Sequence, residues 1–137
     1  MTQGGVEVGL LDTSVFIARE SSRIIAKLPE RVALSVITIG ELQLGVLNAG
    51  DSVTRSRRAD TLALARAADP IPVSEAVMVS WARLVADCQA AGVHRAVKLT
   101  DALIAATAIE HGLPVVTQDA DFDQIARACP TLSVIKV

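Results

Sequence analysis

Five acidic residues carry the chemistry this sequence can offer: Asp12, Glu41, Asp101, Asp119 and Asp121. Asp12 directly follows one apolar run and Asp119 and Asp121 follow another, while Glu41 and Asp101 fall in the first turns of segments with helical periodicity. Two carboxylates about 4 Å apart repel by roughly 4 kcal/mol at an effective dielectric near 20, so acids gathered in one place demand a cation. Residues 99–123 contain no Lys or Arg to supply it. Oxygen donors without His or Cys suit a hard ion, Mg2+ or Mn2+, which keeps several waters and is held through one or two carboxylates plus substrate phosphate. Such an ion polarises a phosphodiester and turns a bound water into a nucleophile. Hydrolysis of a nucleic-acid backbone is the reaction these residues fit.

Asp12 is the hardest of the five to read as ordinary, because an acid buried at the end of an apolar strand costs several kcal/mol unless it is paired or metal-bound. The others have structural readings compatible with function: Glu41 completes a capping box with Thr38, Asp101 suits a helix N-terminus, and Asp121 suits an N-cap. Glu110 and Asp123 read as solvated charges, and Arg55, Arg57, Arg58 and Arg66 as a wet helix face. His94 falls in a loop, and His111 suits the negative end of a helix. Gly45 costs its helix about 1 kcal/mol relative to Ala, which points to a close helix approach.

Apolar runs at 6–11, 32–36, 71–73, 115–117 and 132–137 read as five buried strands. Helical patterns occupy 14–28, 38–49, 53–68, 74–91, 100–111 and 121–128, with Ser74 and Thr100 as N-caps and Gly112 before Pro114 as a stop. This alternation predicts a parallel sheet with helices on both faces, an α/β sandwich. In such folds ligands bind beyond the carboxyl ends of the strands. Four separate segments deliver the acids to that edge.

With 137 residues, 51% of them hydrophobic, the chain suits one domain over 1–137 with a filled core. No apolar run approaches the length of a membrane span, and the start lacks a secretory signal, so the cytoplasm is the expected compartment. Cys88 and Cys129 read as buried free thiols. A net charge of −2 lacks the basic signature of bulk nucleic-acid binding. Phe16, Trp81 and Phe122 are too few aromatic rings for base stacking, so any RNA contact runs through phosphate. Neither a GxGxxG nor a GxxxxGK loop occurs, and Ser14 stands where a DxDxT phosphotransferase needs its second aspartate.

Four stretches then stand out in order: Leu10-Leu-Asp-Thr-Ser-Val-Phe-Ile17, Ile39-Gly-Glu-Leu-Gln-Leu-Gly-Val46, Leu99-Thr-Asp-Ala-Leu-Ile-Ala-Ala-Thr-Ala108 and Pro114-Val-Val-Thr-Gln-Asp-Ala-Asp-Phe122. Together they resemble the motifs of the PIN-domain ribonucleases, specifically the VapC toxins of type II toxin–antitoxin pairs. The resemblance implies an α/β/α sandwich around a five-stranded parallel sheet and Mg2+- or Mn2+-dependent endonucleolytic cleavage of RNA, tRNA or rRNA, arresting translation. By motif position it implies Asp12, Glu41 and Asp101 as metal ligands, with Asp119 and Asp121 completing the cluster and Thr13 or Thr117 adding a hydroxyl contact. It implies a homodimer, and a VapB antitoxin that docks in an apolar groove formed by helices near 14–28 and 38–68 to build a hetero-oligomer. Two other readings remain: a non-catalytic RNA- or antitoxin-binding module, and a nuclease directed at DNA.

Overall fold

Leu10 and Leu11 are neighbours that bury themselves on opposite sides of a sheet, and the molecule is layered around that alternation. In the computed structural model, which describes residues 7–137, the chain runs β1 (Val8–Leu11), α1 (Thr13–Glu20), β2 (Arg31–Ala33), α2 (Val36–Leu47), α3 (Ser52–Arg66) and α4 (Glu75–Ala90). A single 3-10 turn (His94–Ala96) then leads to α5 (Leu99–His111), β3 (Val115–Thr117), α6 (Asp121–Ala128) and β4 (Val134–Lys136). The strands pair in parallel in the order β2-β1-β3-β4, with Leu10 opposite Val115 and Leu11 opposite Val116. Leu10 and Val115 pack with Leu84, Ile104, Phe122 and Ile125 from α4, α5 and α6. Leu11 and Val116 pack with Val15, Phe16 and Leu62 from α1 and α3. Side chains buried in this way are worth about 2 kcal/mol each, which explains why β1 and β3 carry almost no polar residue.

The expected α/β/α layering is present, but the sheet has four strands among the described residues where five are expected. Residues 71–73 contribute only an isolated parallel bridge between Ile71 and Ser35. Ile71 gives its amide to Leu34 and accepts from Val36, but Pro70 and Pro72 on either side have no amide with which to extend the ladder. Val6 and the residues before it lie outside the described region.

Three helix starts differ from expectation; at α6 the N-cap is Ala120, so Asp121 is the first helical residue and not a cap. Ser35 caps α2, its hydroxyl accepting from the Ile37 amide at 3.0 Å, so Thr38 lies inside the helix, fully buried, and the Thr38–Glu41 capping box does not form. At α5 the N-cap is Lys98, not Thr100, and no side chain caps the helix. Ser74 and Gly112 behave as expected, Ser74 accepting from Val77 and Gly112 adopting φ +65°.

The largest difference is at α1, expected to reach residue 28 and ended at Glu20. The Ser22 amide bonds to Arg19 O and the Arg23 amide to Ala18 O, a Schellman closure with Ser22 at φ +55°. Glycine is the usual residue there, so a serine leaves no stop signal in the sequence. Gly45 also departs from expectation: an added Cβ would sit 3.9 Å from Arg58 Cδ, an ordinary contact, so no close helix approach requires it. Glycine is needed at Gly9, where a Cβ would come within 2.5 Å of Val116 Cγ2 and 2.8 Å of Pro29 Cγ. Cys88 and Cys129 are free and buried, and burial pushes the Cys129 thiol up to about 12.

Candidate active site

The carboxyl ends of β1 and β3 lie side by side at the centre of the sheet, where connections leave in opposite directions. Asp12 follows β1 and is 4% exposed. It is the N-cap of α1, yet its carboxylate makes no capping bond. One oxygen accepts from Ser14 Oγ at 2.6 Å and the other from Thr117 Oγ1 at 3.1 Å. Those hydroxyls are themselves fixed, because Ser14 Oγ accepts from the Gln118 amide and Thr117 Oγ1 from the Asp119 amide, each at 3.0 Å. Each hydroxyl has one proton and both protons go to Asp12, so the 3.2 Å approach between Ser14 and Thr117 is a contact without a hydrogen bond.

Glu41, on α2, is oriented from α1: Thr13 Oγ1 donates to Glu41 Oε1 at 2.6 Å, and Thr38 Oγ1 lies 3.4 Å from the same hydroxyl. The Thr13 and Thr117 hydroxyls therefore serve carboxylates here. Asp101 stands in the first turn of α5, Asp119 stands exposed in the turn from β3 into α6, and Asp121 stands exposed at the first residue of α6. All five acids, with Thr13, Ser14, Ile17, Arg23 and Lys98, line one cleft of about 300 Å³.

The electrostatics follow from that gathering. Burial raises the Asp12 carboxyl from 3.8 to about 6; the Ser14 and Thr117 bonds pull it down and Asp119 and Asp101 push it up. Burial also raises Asp101 to about 6, reinforced by Asp121, Glu41 and Asp119 and opposed by Lys98. Lys98, one residue outside the cation-free stretch 99–123, reaches Asp121 Oδ2 at 3.9 Å and gives that carboxylate a partial counter-charge. Among the described residues no three His, Cys, Asp or Glu side chains gather closely enough to hold a metal ion by themselves. An open, all-oxygen cleft in which burial and neighbouring acids raise the Asp12 and Asp101 carboxyls fits a hard dication held by a few carboxylates and completed by water and phosphate.

Residues singled out as non-catalytic are accounted for elsewhere. Asp123 pairs with Lys136, and Glu110 accepts from Ser80. Arg55 and Arg58 bond to the Ala49 and Gly45 carbonyls and Arg66 to Gln43, tying the α2–α3 hairpin. The sequence reading missed Ser14's contact with Asp12, the Thr13–Glu41 bond, Arg23 and Lys98. The two-residue spacings Asp12–Ser14 and Thr117–Asp119 are the local signals that point to the first of these. Arg23 gave none, because a helix through residue 28 would have carried it elsewhere.

A parallel α/β/α sandwich with acids converging at its switch point defines a metal-assisted phosphodiester-cleaving class. Residues 9–128 match the PIN domain family. The chain is 84% identical over 108 residues to Ribonuclease VapC8 of Mycobacterium tuberculosis, covering 79% of this chain and 96% of that protein. It is 41% identical over 137 residues to Ribonuclease VapC4 of the same organism, covering 96% and 98%. The crystal structure of VapBC-5, a member of the VapBC family of toxin-antitoxin systems from M. tuberculosis, is similar at TM-score 0.83 and 38% identity, covering 95% of this chain and 98% of that one. The chain belongs to the VapC ribonucleases of the PIN-domain family. Ribonucleases of that family depend on divalent metal.

Proposed function

We propose that this chain, as a single PIN domain over 1–137, is an endoribonuclease toxin that hydrolyses RNA phosphodiester bonds with Mg2+ or Mn2+ and arrests translation by cutting tRNA or rRNA in the cytoplasm. The carrying observation is that Asp12, Glu41, Asp101, Asp119 and Asp121, from four separate segments, line one cleft. Asp12 and Asp101 would hold the principal ion, with Glu41, Asp119 and Asp121 supporting it. When bound, the ion supplies a Lewis acid for the phosphoryl group and an activated water for in-line attack. Asp12 is held on both oxygens by Ser14 and Thr117, which limits its rotation. Thr13 holds Glu41 by a single bond to one oxygen. Among the described residues no helix is long and apolar enough to cross a membrane.

A VapB antitoxin is the partner this reading requires. An apolar groove of about 250 Å³, lined among others by Phe16, Ile25, Leu28, Val32 and Leu64, runs between α1, β2 and α3. An apolar antitoxin segment fills it, and a basic side chain of that segment reaches toward the carboxylates. The toxin forms a homodimer within the hetero-oligomer. The deciding experiment incubates the protein with tRNA, rRNA, single-stranded DNA and duplex DNA with Mg2+ and with EDTA. RNA products that need Mg2+ and vanish in Asp12→Asn support the reading; undiminished cleavage in EDTA, binding without product, or preference for DNA defeats it.

A further inference from the structure

Two of the side chains lining the acidic cleft are cationic, Arg23 and Lys98. Lys98 is the N-cap of α5, largely exposed and 3.9 Å from Asp121. Arg23 makes no ion pair among the described residues, although acids line the same cleft. The backbone holds it there at a cost. Ser22 takes φ +55°, a conformation that costs a non-glycine residue roughly 1 kcal/mol, and strain of this kind marks positions the surrounding structure over-determines. The bond from the Arg23 amide to Ala18 O at 2.8 Å closes that turn. The next residue is latched as well: Gln118 Nε2 donates to Ile24 O at 3.1 Å and to Val137 O at 2.8 Å. Gln118 lies between Thr117 and Asp119, and its amide bonds to Ser14, so one residue ties the Arg23 loop to the floor of the site.

We propose that Arg23 and Lys98 form a phosphate-binding rim that takes RNA backbone phosphates flanking the scissile bond, with Gln118 positioning Arg23. The proposal rests on the endoribonuclease reading. A polyanion approaching a cluster of carboxylates is repelled unless cations at the cleft mouth meet its phosphates. A chain of net charge −2 must place those cations locally. Guanidinium suits this task, because its fork pairs with phosphate oxygens at fixed geometry.

The test pairs cleavage kinetics on total tRNA in Mg2+ with binding of a short fluorescent single-stranded oligouridylate in Ca2+, across a salt series. Arg23→Gln, an exposed substitution that leaves the core intact, raises KM about tenfold with kcat changed less than about twofold. It flattens the log–log salt dependence of binding by about 0.7, one phosphate contact on a single strand. Lys98→Gln acts in the same direction, and Arg23→Lys recovers the salt slope. Arg57→Gln, on the outer face of α3, changes neither readout. Gln118→Ala raises KM in the wild type but adds little to Arg23→Gln, as a residue acting through Arg23 must. A wild-type salt slope and KM for Arg23→Gln, a fall in kcat at unchanged KM, or full additivity with Gln118→Ala overturns the proposal. Should the wild type cut no RNA, the nuclease reading falls on its own, and the Ca2+ salt slopes still decide the rim.

Discussion

The floor and the rim of the acidic cleft solve opposite problems. At the floor, Asp12 is buried between β1 and β3, held on both oxygens by hydroxyls that are fixed by backbone amides. At the rim, Asp119 and Asp121 are exposed, and Lys98 stands loosely beside Asp121. A buried carboxylate without a cation is destabilising, and its hydrogen bonds offset only part of the cost of leaving water. An exposed one costs little and can move. The contrast separates a rigid anchor, set by the sheet, from an adjustable edge on turns and helix starts, where an incoming backbone needs room.

The sharpest way to break this contrast is Asp12→Asn. Cleavage falls about a thousandfold, since several kcal/mol of metal-borne stabilisation goes with the charge. The metal-free variant nevertheless melts at a higher temperature than the wild type at neutral pH. One of the Ser14 and Thr117 hydroxyls can reorient to accept from the amide NH2 and donate to the other hydroxyl 3.2 Å away, while that other hydroxyl still donates to the amide oxygen, so a buried charge is removed without orphaning a donor. Activity and melting measured together check both halves; a lower melting temperature removes the idea of a strained floor.

The pH dependence tests the same point by titration. Folded Asp12 holds its proton up to about pH 6, against 3.8 for an ordinary aspartate. Between those values the folded state binds more protons than the unfolded chain, so stability falls as pH rises through the window. The cost, roughly 3 kcal/mol, is complete above the upper value. Metal-free wild type therefore gains melting temperature on acidification from pH 7 to about pH 5, while Asp12→Asn shows a shallower gain. Added Mg2+ at neutral pH raises the wild-type melting temperature by mass action.

Smaller effects separate the supports from the rim. Ser14→Ala removes one clamp of Asp12 and the acceptor of the Gln118 amide, lowering kcat about tenfold with the fold retained. Asp121→Asn at the exposed edge changes kcat less than about fivefold, as expected for a charge screened by water. If the two variants were equally damaging in single-turnover assays, the distinction between floor and rim would be lost. Smallest of all, Gly45→Ala leaves cleavage unchanged and stabilises α2 by up to about 1 kcal/mol, because the added methyl meets only Arg58 Cδ at 3.9 Å.

Much of the architecture was legible before any coordinates. Leu10, Leu11, Val115 and Val116 are apolar in consecutive pairs because both sheet faces are covered, and that pattern survives in a one-dimensional reading. The acids were legible for a related reason: Asp12 ends a strand that is otherwise apolar, and a charge in that position has few innocent explanations. Less visible were features decided by one competing contact. Residues 71–73 look like a strand by composition, yet the flanking prolines allow only a bridge. Thr38 and Glu41 have capping-box spacing, yet Ser35 starts the helix earlier and frees Glu41 to meet Thr13.

The amino-acid order by itself determined which residues are apolar on which period, which turns suit helix ends at Ser74 and Gly112, and which segments carry acids. These are local matters of propensity and solvation, acting over a few residues. Tertiary structure alone decided that Thr117 meets Asp12 across a sequence separation of 105, that α1 stops at a left-handed serine, and that Arg23 turns into the acidic cleft. Those outcomes depend on which surfaces pack together, and the energy of a contact between distant segments exists only once the sheet has brought them within reach.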